Sequence, residues 1–216
     1  EEQFLFGIAA DLQAYLQATH DVLLGGGTIR EILDAALHVY QQEVVELPDG
    51  RWLLQPGVWT DHFAYAHAGH TEIVDPMTLA PVPDVAEDTS HATRRPLILR
   101  SLAEAYDADS VERTFYSQRL AGLEKQFVEH VLVPPADAFP AYRTTNYMDG
   151  HNGVYRWNYE THRGDGYEPY ELSGTLHLGW WSFLGSERIR GVYREIAEEF
   201  PLAPDLLETF LGPGTS

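Results

Sequence analysis

Apolar residues recur at helical spacing through most of this chain, and that periodicity limits the fold more than any other feature. Leu5, Ile8, Leu12, Tyr15 and Leu16 fall on one helical face. Gly25, Gly26 and Gly27 interrupt the pattern. Thr28 and Glu31 then make a capping-box pattern ahead of Ile32, Leu33, Ala36, Leu37, Tyr40 and Val44. A helix is expected from about Pro96 to Tyr106, with proline near its first turn. Asp109 and Glu112 open another, in which Tyr116, Leu120, Leu123, Phe127 and Val131 repeat until Pro134 and Pro135 end the run. Leu172, Leu176, Trp180, Phe183 and Leu184 predict a further helix, with the Trp180–Trp181 pair read as core. Ser186 caps one that carries Ile189, Val192, Tyr193, Ile196 and Phe200. A short last helix is expected after Pro204, with Leu206, Leu207, Phe210 and Leu211.

Two stretches read as extended. Pro48-Asp49-Gly50 is a turn signal between 44–47 and 51–55. The second pairs 142–148 with 154–159 around Asp149-Gly150-His151-Asn152-Gly153, with Tyr155, Trp157 and Tyr159 alternating as on one strand face. The stretch Asp75–Asp84, with Pro76, Pro81 and Pro83, reads as an irregular surface loop. Together these signals predict a mainly α fold of helical hairpins with one or two short β-hairpins. A single domain covering 1–216 is expected, since no repeat or linker divides it and 44% hydrophobic residues suffice for one core.

Charge and composition exclude several function classes. Asp and Glu number 33 against 14 Lys and Arg, a net charge of −19, which argues against nucleic acid and against an anionic membrane surface. No run of 18 apolar residues offers a transmembrane span. The absence of cysteine removes disulfides, thiolate metal sites and cysteine nucleophiles. No signal-peptide pattern precedes the first helical run, so a soluble chain is expected, with secreted and cytoplasmic settings and the oligomeric state left open. Neither a G-x-S-x-G elbow nor a phosphate loop is present.

The chemistry-bearing residues crowd into four segments: 59–70, 87–96, 146–163 and 167–177. His62, His67 and His70 offer nitrogen ligands, but their spacing does not stack them on one helix face and no HExxH is present, so no metal or other cofactor is expected. Asp88, Thr89 or Ser90 also reads as a helix cap. Glycan chemistry accounts for more of the residues. Aromatic rings stack on sugar C–H faces, and Asp, Asn, Arg and His bind hydroxyls. Hydrolysis needs two carboxylates across the bond, and Asp61, Asp88, Asp149 and Glu171 are available. β-Elimination or epimerisation needs a base beside a substrate carboxylate, a neutraliser for that carboxylate and an acid for the leaving oxygen. His91 or His151 offers the base, Tyr155 or Tyr159 the acid, and Arg94, Arg95 or Arg156 with Asn158 the neutraliser. Trp59, His62, Tyr65, Trp157, Glu171 and His177 complete the expected substrate-binding set.

Paired helices with such loops, the Trp59-Thr60-Asp61-His62 segment, and Asp88-Thr89-Ser90-His91-Ala92 opening a helix resemble the (α/α) toroids of carbohydrate-active enzymes, across about 27–200. That group holds glycoside hydrolases, polysaccharide lyases and uronyl epimerases. The resemblance implies a toroid or partial toroid, a site on the loops at one end, and a glycan substrate. A non-catalytic glycan-binding or scaffold protein and a metal-dependent His/Asp enzyme are the alternative readings.

Overall fold

A computed structural model describes residues 2–20, 26–157 and 166–199. The fold is mainly α with two short antiparallel strand pairs. Helix α1 (Glu2–Thr19) is followed by α2 (Gly26–Gln42) and the hairpin β1 (Val44–Glu46) and β2 (Trp52–Leu54). The short α3 (Thr89–Ala92) leads into α4 (Arg95–Glu104) and α5 (Val111–Gln126). Strands β3 (Leu132–Val133) and β4 (Arg143–Thr144) follow, then two 3₁₀ helices (Glu171–Leu178 and Trp180–Leu184) and α6 (Glu187–Glu199). Helix α4 is the hub, packing on α1, on α5 and on the second 3₁₀ helix.

Local chemistry explains most boundaries. The β1–β2 register pairs Val45 with Leu53, and Gly50 supplies the positive φ of 86° that the turn needs. Ser110 accepts from Arg113 N at 3.1 Å and starts α5 one residue after the expected Asp109. Ser186 accepts from Ile189 N at 3.2 Å, as a cap residue does. Proline in the first turn of α4 needs no amide partner. Buried Leu33, Ala36, Tyr40, Tyr116, Leu123, Phe127 and Val131 share one core with Trp52 and Trp181. Trp181 stacks on Phe127 with centroids 4.1 Å apart, so that indole is core.

Four expectations are corrected. Thr28 lies two residues inside α2, so it is not the cap. The helix expected over 172–184 is two 3₁₀ segments divided at Gly179, whose φ of 76° stops the first. The second expected hairpin does not form: β4 pairs with β3, and Tyr155 bridges Tyr167 instead. Along α1 the expected apolar face points outward except at Leu16, which packs against the core. Leu5, Ile8, Leu12 and Tyr15 are exposed, while the small Ala9 and Ala10 are buried where α1 meets its neighbours. Small residues let the backbones approach closely, so packing selects Ala over Leu on that side. Phe200 and the helix expected after Pro204 lie outside the described residues.

Polar side chains knit the long loops. Asn146, fully buried, donates from Nδ2 to Gly153 O at 2.9 Å and Glu168 O at 2.8 Å, and its Oδ1 accepts from Leu172 N at 3.3 Å. Thr89 N donates to Asn146 O and Met148 N to Glu87 O, both at 2.9 Å, which fastens 87–89 against 146–148. Gly153 sits hard against the next loop, and a Cβ there would run into the Ala68 carbonyl. Gly153→Ala is therefore expected to destabilise the fold by about 3 kcal/mol or more, read as a lower denaturation midpoint in urea. A wild-type midpoint would show that this contact relaxes without cost.

Candidate active site

A cavity of about 660 Å³ opens between α1, the end of α2, the loop at 54–65, α3–α4 and residues 155–156. Its volume is that of a small-ligand site. Trp59, His62, Tyr65, His91, Arg94, Arg95, Tyr155 and Arg156 all line it. Three of the four chemistry-bearing segments thus meet in one cleft.

Asp88 organises this wall. It is the N-cap of α3, and its Oδ1 accepts from Ser90 N at 3.0 Å and His91 N at 3.1 Å, with the Ser90 hydroxyl also donating to it. Its Oδ2 accepts from Tyr65 OH at 2.8 Å and faces His91 Nδ1 at 2.7 Å. The Asp88 side chain is 0% exposed and that of His91 48%. Burial alone would raise the Asp88 pKa, but the hydrogen bond and charge of His91, with Ser90 and Tyr65, outweigh it and hold the carboxyl down at about 2. A carboxylate only accepts, so the proton on this contact belongs to Nδ1 of His91. In the neutral ring Nε2 then carries the lone pair, on a half-exposed side chain at the cleft wall. Ser90 turns its hydroxyl to Asp88, so no Ser-His-Asp relay is built here.

Two phenols flank the carboxylate. Burial, and then the Asp88 charge, push Tyr65 and Tyr155 well above the usual phenol range. Both stay protonated at neutral pH. Arg156 opposes the rise at Tyr155, and its guanidinium lies 5.1 Å from that ring's centroid. Arg156 holds a positive φ of 57°, as does Gln55 at 44°, and both line the cleft. Such backbone costs of the order of 1 kcal/mol in non-glycine residues and gathers at functional sites. Trp59 lies nearly parallel to Tyr65, 5.9 Å between centroids, and His62 stacks on Phe63 at 4.5 Å. Arg94 sits over the Phe4 ring at 5.2 Å.

Other expected residues serve elsewhere. Arg95 is buried at the cleft floor in an ion pair with buried Glu87, Nη2 to Oε2 at 2.6 Å. Asp149 accepts from Ala86 N at 3.1 Å and His151 N at 2.8 Å, and His151 Nε2 donates to Ala68 O at 2.6 Å. These two side chains hold loops together and line no part of the cleft. Asp61 is exposed, Trp157 half-buried, and both lie outside the cleft lining. Glu171 accepts from Glu168 N at 2.7 Å, and His177 is exposed, so 167–177 contributes nothing to the cleft. His67 and His70 both donate to the Thr78 carbonyl, at 3.0 and 2.8 Å, pinning the proline-rich loop. Among the described residues no group of three or more His, Asp or Glu is placed to hold a metal ion. Asn158 and Tyr159 lie outside the described residues. Gln3, Phe4, Glu43 and Gln55 line the cleft without having been expected to, because no local pattern marks them.

No protein family, no curated protein and no solved structure matches this chain. The resemblance to (α/α) toroids rests on the sequence segments alone.

Two outcomes follow from the buried charges. The Asp88 pKa is lower when folded, so its contribution to stability is present above about pH 4 and lost as pH falls toward 2. The stability gap between wild type and Asp88→Asn is expected to narrow below pH 4 in urea titrations. A gap independent of pH would contradict it. Glu87→Ala leaves the Arg95 guanidinium buried without its carboxylate, and a loss of about 3–5 kcal/mol is expected by thermal melting.

Proposed function

We propose that this protein is a glycan-processing enzyme whose base is His91, acting by proton abstraction beside a substrate carboxylate rather than by hydrolysis between two carboxylates. The Asp88–His91 pair carries the reading: a buried carboxylate orients an imidazole whose other nitrogen is unprotonated when neutral, at the wall of a ligand-sized cavity. Among the expected carboxylates the hydrolytic arrangement lacks support, and Glu43, which does line the cleft, is engaged by Gln55. Asp61, Asp149 and Glu171 line no part of the cleft. Asp88, with its pKa near 2, is ionised at working pH and has no proton to give a leaving group.

In this reading His91 Nε2 takes the proton from the carbon next to the substrate carboxylate. The C–H electron pair becomes the new C=C bond, and the C–O bond to the leaving sugar breaks towards oxygen. Tyr155, buried at the cleft lining with its hydroxyl bonded to Asp88, turns that hydroxyl to give the oxygen its proton and regains one from solvent or from His91 after product leaves. A phenol with a raised pKa donates only as the leaving oxygen gains charge, which suits late proton transfer. Arg94 and Arg156 are the cleft cations that neutralise the carboxylate, and Trp59 with His62 offers ring faces to the sugar. Epimerisation uses the same base and the same carboxylate clamp.

The test is a panel of uronate-containing polysaccharides, assayed by the ultraviolet absorbance of the unsaturated product and by NMR for inversion at the abstracted carbon. His91→Ala is expected to lower kcat by about 10²–10⁴-fold while substrate binding persists. Tyr155→Phe is expected to impair elimination. Undiminished turnover in His91→Ala would refute the assignment. Binding of a uronate glycan without turnover in the wild type would make the cleft a glycan-binding site instead.

A further inference from the structure

The outer face of α1 carries an apolar seam with no partner among the described residues. Leu5, Ile8, Leu12 and Tyr15 are 56%, 56%, 41% and 56% exposed. Their spacing of three, four and three residues is that of a helix-pairing seam, over about 15 Å of helix. The helix buries its opposite, small-residue side through Ala9 and Ala10. Phe6 and Leu16 pack against the core, but these four larger side chains stay outside, an arrangement that burial among the described residues does not explain.

Charge selects the occupant. The chain carries −19, so two copies repel over most of their surface. Between Gln3 and Thr19 the only charged side chain is Asp11. This is a surface where two copies can meet at little electrostatic cost. A basic partner would be drawn to acidic surface and gains nothing from an uncharged seam. A membrane-surface helix carries Lys and Arg on its polar face, and α1 has neither. We infer that α1 is the interface between two copies of this chain, paired seam to seam. Phe4, on the cleft rim and beneath Arg94, adjoins Leu5 in sequence, so the partner copy comes close to the cleft mouth.

Such a seam covers less area than a standard interface, so the dimer is weak and concentration-dependent. Sedimentation of the full chain across the micromolar range is expected to show a shift from 24.4 kDa towards twice that mass. Added salt is expected to favour the dimer, because screening removes repulsion while the apolar contact persists. Ile8→Glu and Leu12→Glu are expected to abolish the shift, with circular dichroism unchanged because both positions are exposed. Three results overturn the inference. One is a dimer that both variants retain. Another is a dimer that salt dissociates. The third is a monomer at every concentration, and if the variants then also melt earlier, residues 200–216 of the same chain cover the seam.

Discussion

The buried carboxylate of Asp88 is the contact on which the rest of the site depends. One oxygen caps α3 and so fixes where that helix begins; the other holds the Tyr65 hydroxyl and the His91 ring. A buried anion is tolerated only when hydrogen bonds replace its lost hydration. Here the required donors are the groups that shape the cleft wall. Ionisation of Asp88, the start of α3 and the tautomer of His91 are thus one arrangement. The helix cap and the base we propose draw on the same two oxygen atoms.

Around this contact the loops are held by specific hydrogen bonds. The antiparallel bridge between Asp88 and Tyr147 ties the cap to the 146–155 loop. Asn146 then ties that loop to Glu168 and Leu172. Tyr65, Tyr147 and Tyr155 pack edge-on or tilted, with centroids 5.4–6.1 Å apart, and form a small aromatic core beneath the site. At the cleft floor the buried Glu87–Arg95 pair neutralises both charges. The cleft thereby lies where this smaller core meets the one that holds the helices, since Leu54 and Ile98 of the latter also line it.

Much of the fold was legible in the sequence because helical spacing is local. Tyr116, Leu123, Phe127 and Val131 stand at the spacing that buries them, and Ser186 caps where its hydroxyl suggested. The failures have a common physical cause. Periodicity tells that α1 has an apolar face and not which way it points; close approach of helices placed Ala9 and Ala10 inside and Leu5 and Ile8 outside. Alternation in Tyr155 and Trp157 suggested a strand, but β4 found its partner in Leu132–Val133, a pairing that depends on where α5 ends. Within the site, His91, Asp88, Tyr155 and Arg156 were recognisable as chemistry crowded into loops. Asp149 and His151 carry the same residue types, yet satisfy backbone groups of neighbouring loops. Composition cannot separate a side chain that faces a cavity from one that faces a carbonyl. Glu43 and Gln55 were invisible for the opposite reason, since only tertiary packing brings them to the cleft.

Asp88 fixes the His91 proton on Nδ1 and leaves Nε2 basic. Long-range nitrogen–proton NMR correlation of the His91 ring, recorded where the imidazole is neutral, tests it without knowledge of the substrate. A protonated Nδ1 and an unprotonated Nε2 are expected in the wild type, with that preference lost in Asp88→Ala. A His91 ring protonated on Nε2 in the wild type, or one unaffected by removal of Asp88, would contradict it.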